Sequence, residues 1–539
     1  MHRIVLSVIS AILLGACATS AEPNGRNSDL VVEKSISQLG ADLAAGRTTS
    51  EALVAAYLER IKKIDRSGPT LHAVISVNPE ALAQARALDA ERRAGKVRGP
   101  LHGIPILIKD NIETKELPTT AGSLALARNM TGRDAPMAAR LREAGAILIG
   151  TANLSDWANF RSPRSISGWS AVGGLVRNPY ALDRNACGSS SGSGAGAAAS
   201  LAAGAVGTET SGSIVCPAGM NGVVGLKPTV GLVSRNGVVP ISHTQDTPGP
   251  LTRTVTDAAI VMTALAGSDP ADPATAEADK RKKDYAAGLS KDALKGKRLG
   301  VLRIGVGGHQ ETDQLFEQAL KDLQAAGAEL VEVKQLPDQQ AIGAASQIVT
   351  QTEFKADLAK YFAGAAPGIP VKTLADMIAF NKTNADKEMP LFAQERFETS
   401  EAMAGLDDPK YLEALEKGKR LAGPEGIDKV LTTDRLDALV TITGAPAWPS
   451  DPAGASRGAA VNVFTGVPAV AGYPHLTVPM GLAKGLPVGL SFIGKAWSEG
   501  ELLAMGYAYE QAAPRRVPPT YARSLNDTPA VAKAFAPAE

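Results

Sequence analysis

The chain has 539 residues, of which 44% are hydrophobic and 21% charged, with 56 lysines and arginines against 55 aspartates and glutamates. These fractions are typical of a globular protein with a large core, and they exclude a disordered or fibrous chain. The net charge of +1 removes the main electrostatic reason to bind nucleic acid or an anionic membrane surface, since such binding needs clustered, uncompensated basic residues.

The N-terminal segment predicts export. A short apolar run ends at Cys17, and such a run is typical of a signal peptide rather than of a membrane span, which needs about 20 residues. We expect a signal peptide over 1–16, and the end of the run resembles a bacterial lipobox, in which Cys17 would carry a lipid anchor. Ordinary signal cleavage after Ala16 or Ala21 is the alternative. Small polar residues over 17–29 predict a flexible tether.

From residue 30 the chain alternates helix and strand signals. An apolar face at Leu53, Tyr57 and Ile61 predicts a helix that Thr49 or Ser50 can cap. Further helices are predicted over 79–95 and 136–144, and short apolar runs at 103–109 and 146–150 are typical of buried strands. The alternation predicts an α/β fold with a single large mixed β-sheet covered by helices on both faces.

The second half repeats these signals. A strand is predicted at 297–305 with a helix after it, and strands are predicted at 439–443, 475–479 and 488–494, before a helix from Ser498. Residues 335–430 indicate several helices without a chemical motif, and we expect them to form a cover segment. The main domain is therefore expected over 30–520, followed by a C-terminal tail over 521–539.

Residues 187–232 are rich in glycine, alanine and serine. Glycine and alanine allow close backbone packing, but packing does not explain why so many hydroxyl groups lie among the glycines. A phosphate-binding loop is disfavoured, because the stretch contains neither GxxxxGK[ST] nor a GxGxxG with a downstream acid. We expect no cofactor and no metal ion.

Together with Lys-Asp-Asn at 109–111, this stretch resembles the amidase signature family, whose members hydrolyse carboxamides with a Ser-cisSer-Lys triad. Segments at 178–180, 246–258 and 485–494 add to the resemblance. The resemblance implies the amidase signature fold, and it leaves the middle of the chain unplaced.

The resemblance also implies the roles of individual residues. Ser213 would be the nucleophile, Ser189 the cis-serine after Gly188, and Lys109 the base, while the backbone N–H groups of Thr210, Ser211 and Gly212 would form the oxyanion hole. The chain departs from the family pattern at Ser211 and at Cys187, where glycine is frequent. A side-chain change at 211 leaves a backbone donor in place if the turn is kept.

The chemistry of the residues supports this assignment independently. A serine hydroxyl needs a nearby base, and no histidine lies within 187–232. Lysine can act as that base only when it is neutral. Lys109 follows three apolar residues and is expected to end a buried strand, where desolvation lowers the pKa of its ammonium group.

Other residues near the motif have simpler interpretations. We expect Ser190, Ser191 and Ser193 to be turn or cap hydroxyls, and His102 to be a buried, hydrogen-bonded histidine. Cys216 is expected to be a small buried residue rather than a reactive thiol.

Two questions stay open from the sequence. Cys187 and Cys216 could form a disulfide, although a small buried thiol is the preferred interpretation of the latter. The aromatic residues Trp157, Phe160 and Trp169 could line a substrate pocket or pack in the core, with equal support for the two.

The sequence thus predicts an exported, lipid-anchored amidohydrolase that cleaves linear carboxamides to carboxylate and ammonia through an acyl-enzyme. Within the family it is most similar to bacterial peptide amidases, which remove the C-terminal amide of peptides, so the expected substrate is a peptide amide or a small-molecule amide. The alternative enzymatic function is a general amidase for small aliphatic or aryl amides. The alternative without enzymatic activity is a binding protein on an inactive amidase scaffold. A subunit acting on charged tRNA is disfavoured by export and by the net charge.

Overall fold

The computed structural model describes residues 30–451, 464–529 and 531. The predicted signal peptide, the tether and Cys17 lie outside these residues. No helix in the described ranges combines the length and the apolar character needed to cross a bilayer.

The strands form one large sheet and one short hairpin. The strands are β1 Val74–Val77, β2 Pro105–Lys109, β3 Ile147–Ala152, β4 Trp169–Ser170, β5 Gly174–Leu175, β6 Gly204–Glu209, β7 Val224–Lys227, β8 Thr247–Thr252, β9 Arg298–Val301, β10 Glu329–Glu332, β11 Ala438–Ile442, β12 His475–Ala483 and β13 Leu486–Ile493. Eleven of them form the sheet in the order β1-β3-β2-β6-β8-β7-β12-β13-β11-β9-β10, and β4 pairs with β5.

The sheet is mixed. Strand β2 pairs in parallel with β3 and β6, and β9 pairs in parallel with β10 and β11, whereas the strands between these groups pair antiparallel. Helices flank the sheet, which confirms the predicted α/β class with one large mixed sheet.

Most of the α-helices lie in the connections between strands, while two precede β1 and one follows β13. They are α1 Ile36–Ala44, α2 Ser50–Arg60, α3 Ala81–Arg93, α4 Pro136–Glu143, α5 Ser191–Ala198, α6 Val215–Met220, α7 Val255–Leu265, α8 Ala278–Arg281, α9 Gln310–Ala325, α10 Gln339–Ala363, α11 Leu374–Thr383, α12 Ala385–Glu388, α13 Glu395–Glu401, α14 Pro409–Ala422, α15 Asp428–Thr433, α16 Gly466–Ala471 and α17 Glu499–Ala512.

Local sequence explains several of these bounds. The Thr49 side chain accepts a hydrogen bond from the Ala52 N–H group and so caps α2. Every residue of β2 is buried, because neighbouring strands pair with it on both edges and apolar residues cover it. The predicted helices and strands before residue 150 are confirmed, with ends that differ by a few residues.

The glycine-rich region holds strands that its composition does not indicate. Strand β6 and its antiparallel partner β8 are fully buried. Gly207 in β6 faces the Ser190 hydroxyl so closely that an added Cβ would lie 2.6 Å from it. Small residues are required here because the backbone of the strand and the segment before α5 approach closely.

The predicted cover segment is helical throughout most of its length. Helix α10 has 25 residues, and its Phe354 stacks on Phe397 of α13 at a ring-centroid distance of 5.2 Å. Trp157 contacts Phe397 edge-on at 5.6 Å. These rings form a second apolar core, separate from the core on the main sheet, that fixes the cover segment to the body.

The residues predicted as a C-terminal tail contact the body at their start. The Leu182 N–H group donates to the Ala522 carbonyl at 2.9 Å, and the Leu525 N–H group donates to the Asp183 carboxylate at 3.0 Å.

Candidate active site

Lys109 ends strand β2 inside the protein. Its Nζ atom donates hydrogen bonds to the Ser189 hydroxyl at 2.7 Å and to the Thr208 hydroxyl at 2.8 Å. Complete burial lowers the pKa of Lys109 to about 7, against the smaller opposing effects of the Asp246 and Glu209 carboxylates. The predicted burial at the end of a strand is therefore confirmed, and a large fraction of this amine is neutral near neutral pH.

Ser189 lies between Lys109 and the segment that carries Ser213. The peptide bond between Gly188 and Ser189 is cis, as the family resemblance implies. The Ser155 N–H group donates to the Ser189 carbonyl at 3.0 Å. The Ser190 N–H group donates to the Ser213 carbonyl at 3.1 Å, so the two serine segments are joined directly through their backbones.

Ser213 follows β6 in a turn that Glu209 organises. The buried Glu209 carboxylate accepts hydrogen bonds from the N–H groups of Gly212 at 2.8 Å, Ile214 at 2.7 Å and Val215 at 3.1 Å. Gly212 has φ +82°, a conformation that glycine adopts without steric cost. The Ser213 side chain is 8% exposed, and its hydroxyl has no hydrogen-bond partner among the described residues, so it is available to a substrate.

The same turn bears on the predicted oxyanion hole. The Gly212 N–H group already donates to Glu209, whereas the N–H groups of Thr210, Ser211 and Ser213 have no acceptor among the described residues. The donors open to a substrate oxygen are therefore those at 210, 211 and 213 rather than the one at 212.

Two residues beside Lys109 were not predicted. Thr208 accepts from Lys109 and, at 3.0 Å, from the Asn111 side-chain amide. Asn111 belongs to the Lys-Asp-Asn segment, so its position two residues after Lys109 could have predicted that it lies beside the lysine. Thr208 lies on β6, whose pairing with β2 places it there.

Asp246 supports the turn from the opposite side. Its carboxylate accepts from the Thr210 hydroxyl and from the N–H groups of Ile241 and Ser242 at 2.8 and 2.9 Å. Burial raises the pKa of Asp246 to about 6, more than the hydrogen bonds from Thr210 and the backbone lower it. The side chain positions Thr210 next to the candidate nucleophile.

Cys187 and Cys216 form a disulfide, with Cα atoms 6.0 Å apart. The preferred sequence interpretation of Cys216 as an unpaired buried thiol was therefore wrong. The pairing follows from the approach of the segments around Ser189 and Ser213, which brings together cysteines separated by 29 positions.

Ser213 opens into a cavity of about 550 Å³ between the body and the cover segment. The body contributes Asn159, Phe160, Thr210, Ser211, Gln245 and Trp448, and α10 contributes Gly343, Ser346, Gln347, Thr350 and Gln351. The residues of α10 recur at three- and four-residue intervals, so one polar face of this helix forms a wall of the cavity. The cover segment thus has a place in the site that its sequence did not indicate.

Side chains fix α10 in this position. The Ser346 hydroxyl donates to the Gln245 carbonyl oxygen at 2.9 Å, and His243 Nδ1 lies 2.9 Å from the Asp357 carboxylate. Ligand atoms of His243, Glu353 and Asp357 lie within 4.8 Å of one another, a spacing that could hold a cation. Glu353 already accepts from Thr244 and Tyr411, so we interpret the group as an anchor between α10 and the loop beneath it.

The remaining residues considered in the sequence analysis make structural contacts. His102 is buried, its Nε2 atom lying 3.0 Å from the Leu88 carbonyl oxygen, as predicted. Ser190 and Ser193 donate to carbonyl groups of β6 at 3.0 and 3.2 Å, so they attach α5 to the sheet instead of capping a helix. Ser191 lies 3.5 Å from the Ser155 hydroxyl.

The three aromatic residues divide between the two interpretations. Phe160 lines the cavity. Trp157 packs in the second core, and Trp169 contacts Phe392 edge-on at 5.3 Å.

Comparison with known proteins agrees with this geometry. Residues 52–503 match the amidase family. The chain belongs to the amidase family. It is a hydrolase that acts on amides, and the similarity spans most of the main domain.

Individual relatives cover the amidase almost end to end. It is 39% identical to a protein described as "Probable amidase" of Arabidopsis thaliana over 528 residues, which cover 96% of this chain and 97% of the plant protein. The structure of native peptide amidase from Stenotrophomonas maltophilia superposes with a TM-score of 0.86 at 51% identity, covering 91% of this amidase and 99% of the other chain. Peptide amidase PAM in complex with the competitive inhibitor chymostatin gives a TM-score of 0.87 at 52% identity, with the same coverage.

Proposed function

We propose that this amidase releases ammonia from the C-terminal amide of peptides, with Ser213 as nucleophile, Ser189 as proton relay and Lys109 as base. The observation that carries the proposal is the buried Lys109, whose Nζ atom contacts the Ser189 hydroxyl at 2.7 Å beside a cavity into which Ser213 opens. The identity of 51–52% with two peptide amidase structures supports the choice of substrate.

The reaction follows from the path along which protons can move between Ser213, Ser189 and Lys109. Neutral Lys109 accepts the Ser189 proton while Ser189 accepts that of Ser213, and the Ser213 Oγ atom attacks the amide carbon. Backbone N–H groups at 210, 211 and 213 stabilise the oxyanion. When the carbon–nitrogen bond breaks, the relay returns the proton to the leaving nitrogen, and ammonia departs. Water then hydrolyses the acyl-enzyme by the same proton path, which gives the carboxylate and free Ser213.

The shape and lining of the cavity support a peptide over a small amide. A cavity of about 550 Å³ is far larger than acetamide requires and falls in the range of sites for drug-sized ligands. The polar face of α10 supplies hydroxyl and amide groups at Ser346, Gln347 and Gln351, which can pair with the N–H and C=O groups of an extended chain.

We further propose that the enzyme is exported and anchored to the cell envelope through lipid on Cys17. The support is the sequence alone, a short apolar run ending at this cysteine. The Cys187–Cys216 disulfide is consistent with an oxidising compartment.

The substrate is tested by measuring kcat/KM for ammonia release from a blocked peptide amide, acetamide, benzamide and an N-alkylated peptide amide. Specificity is the ratio of these values. We expect the peptide amide to be the best substrate and the N-alkylated amide to be poor, because the leaving group is then larger. If acetamide or benzamide is hydrolysed more efficiently than the peptide amide, the general amidase function replaces the peptide amidase function.

A further inference from the structure

Arg396 reaches the same cavity as Ser213 without a partner of opposite charge. It lies near the start of α13 and lines the cavity beside Phe160, with its guanidinium carbon 5.6 Å from the centroid of that ring. No described carboxylate lies within ion-pair distance of it. Residues 452–463, which lie outside the described ranges, contain no aspartate or glutamate.

A neighbouring arginine shows the ordinary arrangement. Arg161 is fully buried, and its Nη1 atom lies 3.0 Å from the Asp156 carboxylate. A buried guanidinium is normally paired with a carboxylate in this way, because the free energy lost when a charge leaves water is larger than the free energy that packing contributes. Arg396 is half-buried and lacks such a carboxylate, so the cavity itself is where a counter-charge can enter.

The surroundings of Arg396 favour an anion further. It is the only charged residue among the described residues that line the cavity. Partial burial removes water from the guanidinium and lowers the pKa of Arg396 from its ordinary value, although an arginine remains charged at every pH of interest. The cavity therefore offers a fixed positive charge, and its described lining contains no acidic residue to neutralise that charge.

We propose that Arg396 forms an acyl-side subsite for a carboxylate, so that the preferred substrates are peptide amides with an acidic residue at, or next to, the residue that carries the scissile amide. The inference rests on the proposed peptide amidase function and names the substrate class of that site. A guanidinium binds a carboxylate through two parallel hydrogen bonds, which supply both affinity and orientation.

The test uses matched substrates that differ only in charge. The substrates are Ac-Glu-Leu-NH2, Ac-Gln-Leu-NH2 and Ac-Lys-Leu-NH2, together with the corresponding Ac-Leu-Xaa-NH2 series. Hydrolysis of the terminal amide is followed by chromatography and mass spectrometry, which distinguish it from hydrolysis of the glutamine side-chain amide. For at least one of the two positions we expect kcat/KM to be about tenfold higher for Glu than for Gln, and lowest for Lys. This ratio should decrease as salt is added, because salt screens the charge.

Variants assign the preference to one residue. Arg396→Gln should bring the Glu-to-Gln ratio to within about twofold, and Arg396→Glu should reverse it in favour of Lys. Arg396→Lys should keep part of the preference. Arg164→Gln removes the same charge from an exposed position in the nearby loop and should leave the ratio unchanged.

The outcomes separate the two proposals. If peptide amides are cleaved and the wild-type Glu-to-Gln ratio is close to one at both positions, the subsite is overturned even if no variant folds. An unchanged ratio in folded Arg396→Gln overturns it as well. If no peptide amide is cleaved while small amides are, the peptide amidase function itself fails.

Discussion

Cys187 and Cys216 join the two segments that carry the predicted catalytic serines. Cys187 lies two residues before Ser189 and Cys216 three residues after Ser213, and their Cα atoms are 6.0 Å apart. The disulfide therefore closes around the site rather than at a distance from it. Together with the hydrogen bond from the Ser190 N–H group to the Ser213 carbonyl, it holds the two serine segments against each other.

Removing this disulfide should lower both stability and activity. The bond closes a loop of 29 residues, for which the chain-entropy relation gives about 3 to 4 kcal/mol of stabilisation. We expect the Cys187→Ala/Cys216→Ala variant to unfold at a lower denaturant concentration and to lose turnover. Reductant should have no further effect on this variant, which serves as the control. Equal stability of the oxidised protein and of protein shown by thiol titration to be reduced would contradict the expectation.

The pH dependence of kcat/KM should follow Lys109. Because burial lowers the pKa of its ammonium group to about 7, the neutral base increases as the pH rises through 7. The rate should therefore increase with an apparent pKa near 7 and remain high on the alkaline side. Measurement of kcat/KM from pH 5 to 10 on a neutral peptide amide reports this value for the free enzyme.

His243 is one group near the cavity whose titration could imitate such a profile, as could that of Asp246, whose pKa burial raises to about 6. The neighbours of His243, Ile241 and Gln245, line the cavity, and a hydrogen bond to Asp357 raises the pKa of this histidine above the ordinary value. Replacement by asparagine should leave the inflection in place, since this histidine contacts α10 rather than the serines that are predicted to be catalytic. Loss of the inflection in folded His243→Asn would assign the titration to the histidine.

The sequence predicted the position of Lys109 better than the surroundings of that residue. Lys109 could be placed at the end of a buried strand because three apolar residues precede it, and burial then determines the direction of its pKa shift. Strand β6 escaped prediction because GAVGTE lacks large apolar residues, and only its pairing with β2 and β8 makes it a strand. Local pattern carries no information on such pairing.

The wall of the cavity could not be predicted for the same reason. Gln245, the polar face of α10 and Arg396 all lie more than 30 residues away from Ser213 in sequence. Tertiary packing, such as that of Phe354 in α10 on Phe397 in α13, brings two of these elements together. The disulfide likewise depends on the approach of two turns. The roles given to Ser213, Ser189 and Lys109 stay predictions that the geometry supports.

Lys109 and Ser189 should act as one unit. We expect Lys109→Ala and Ser189→Ala each to lower kcat by roughly a thousandfold or more, and the double variant to be little worse than either, because a relay fails when one member is missing. Thr208→Ser, which keeps the hydroxyl group that Lys109 contacts, should retain most activity. Losses that simply multiply in the double variant would contradict a shared proton path.

Cys17 should determine where the protein is found. If it carries lipid, Cys17→Ser should move the protein from the membrane fraction to the soluble fraction, because acyl chains provide the attachment. Mass spectrometry of the wild-type N-terminus should show a lipid-modified Cys17. An unmodified N-terminus at another residue would refute the anchor.

The most direct test of the account is to locate the residue that becomes acylated. A fluorophosphonate forms a covalent adduct with an activated serine, and peptide mapping identifies the serine. We predict one adduct on Ser213, no adduct in folded Ser213→Ala, and slow labelling in Lys109→Ala. The control is Ser193→Ala, which changes a serine of the same region whose hydroxyl donates to β6, and it should be labelled at the wild-type rate. Labelling of Ser213→Ala at the wild-type rate, or mapping of the adduct to another residue, would contradict the account.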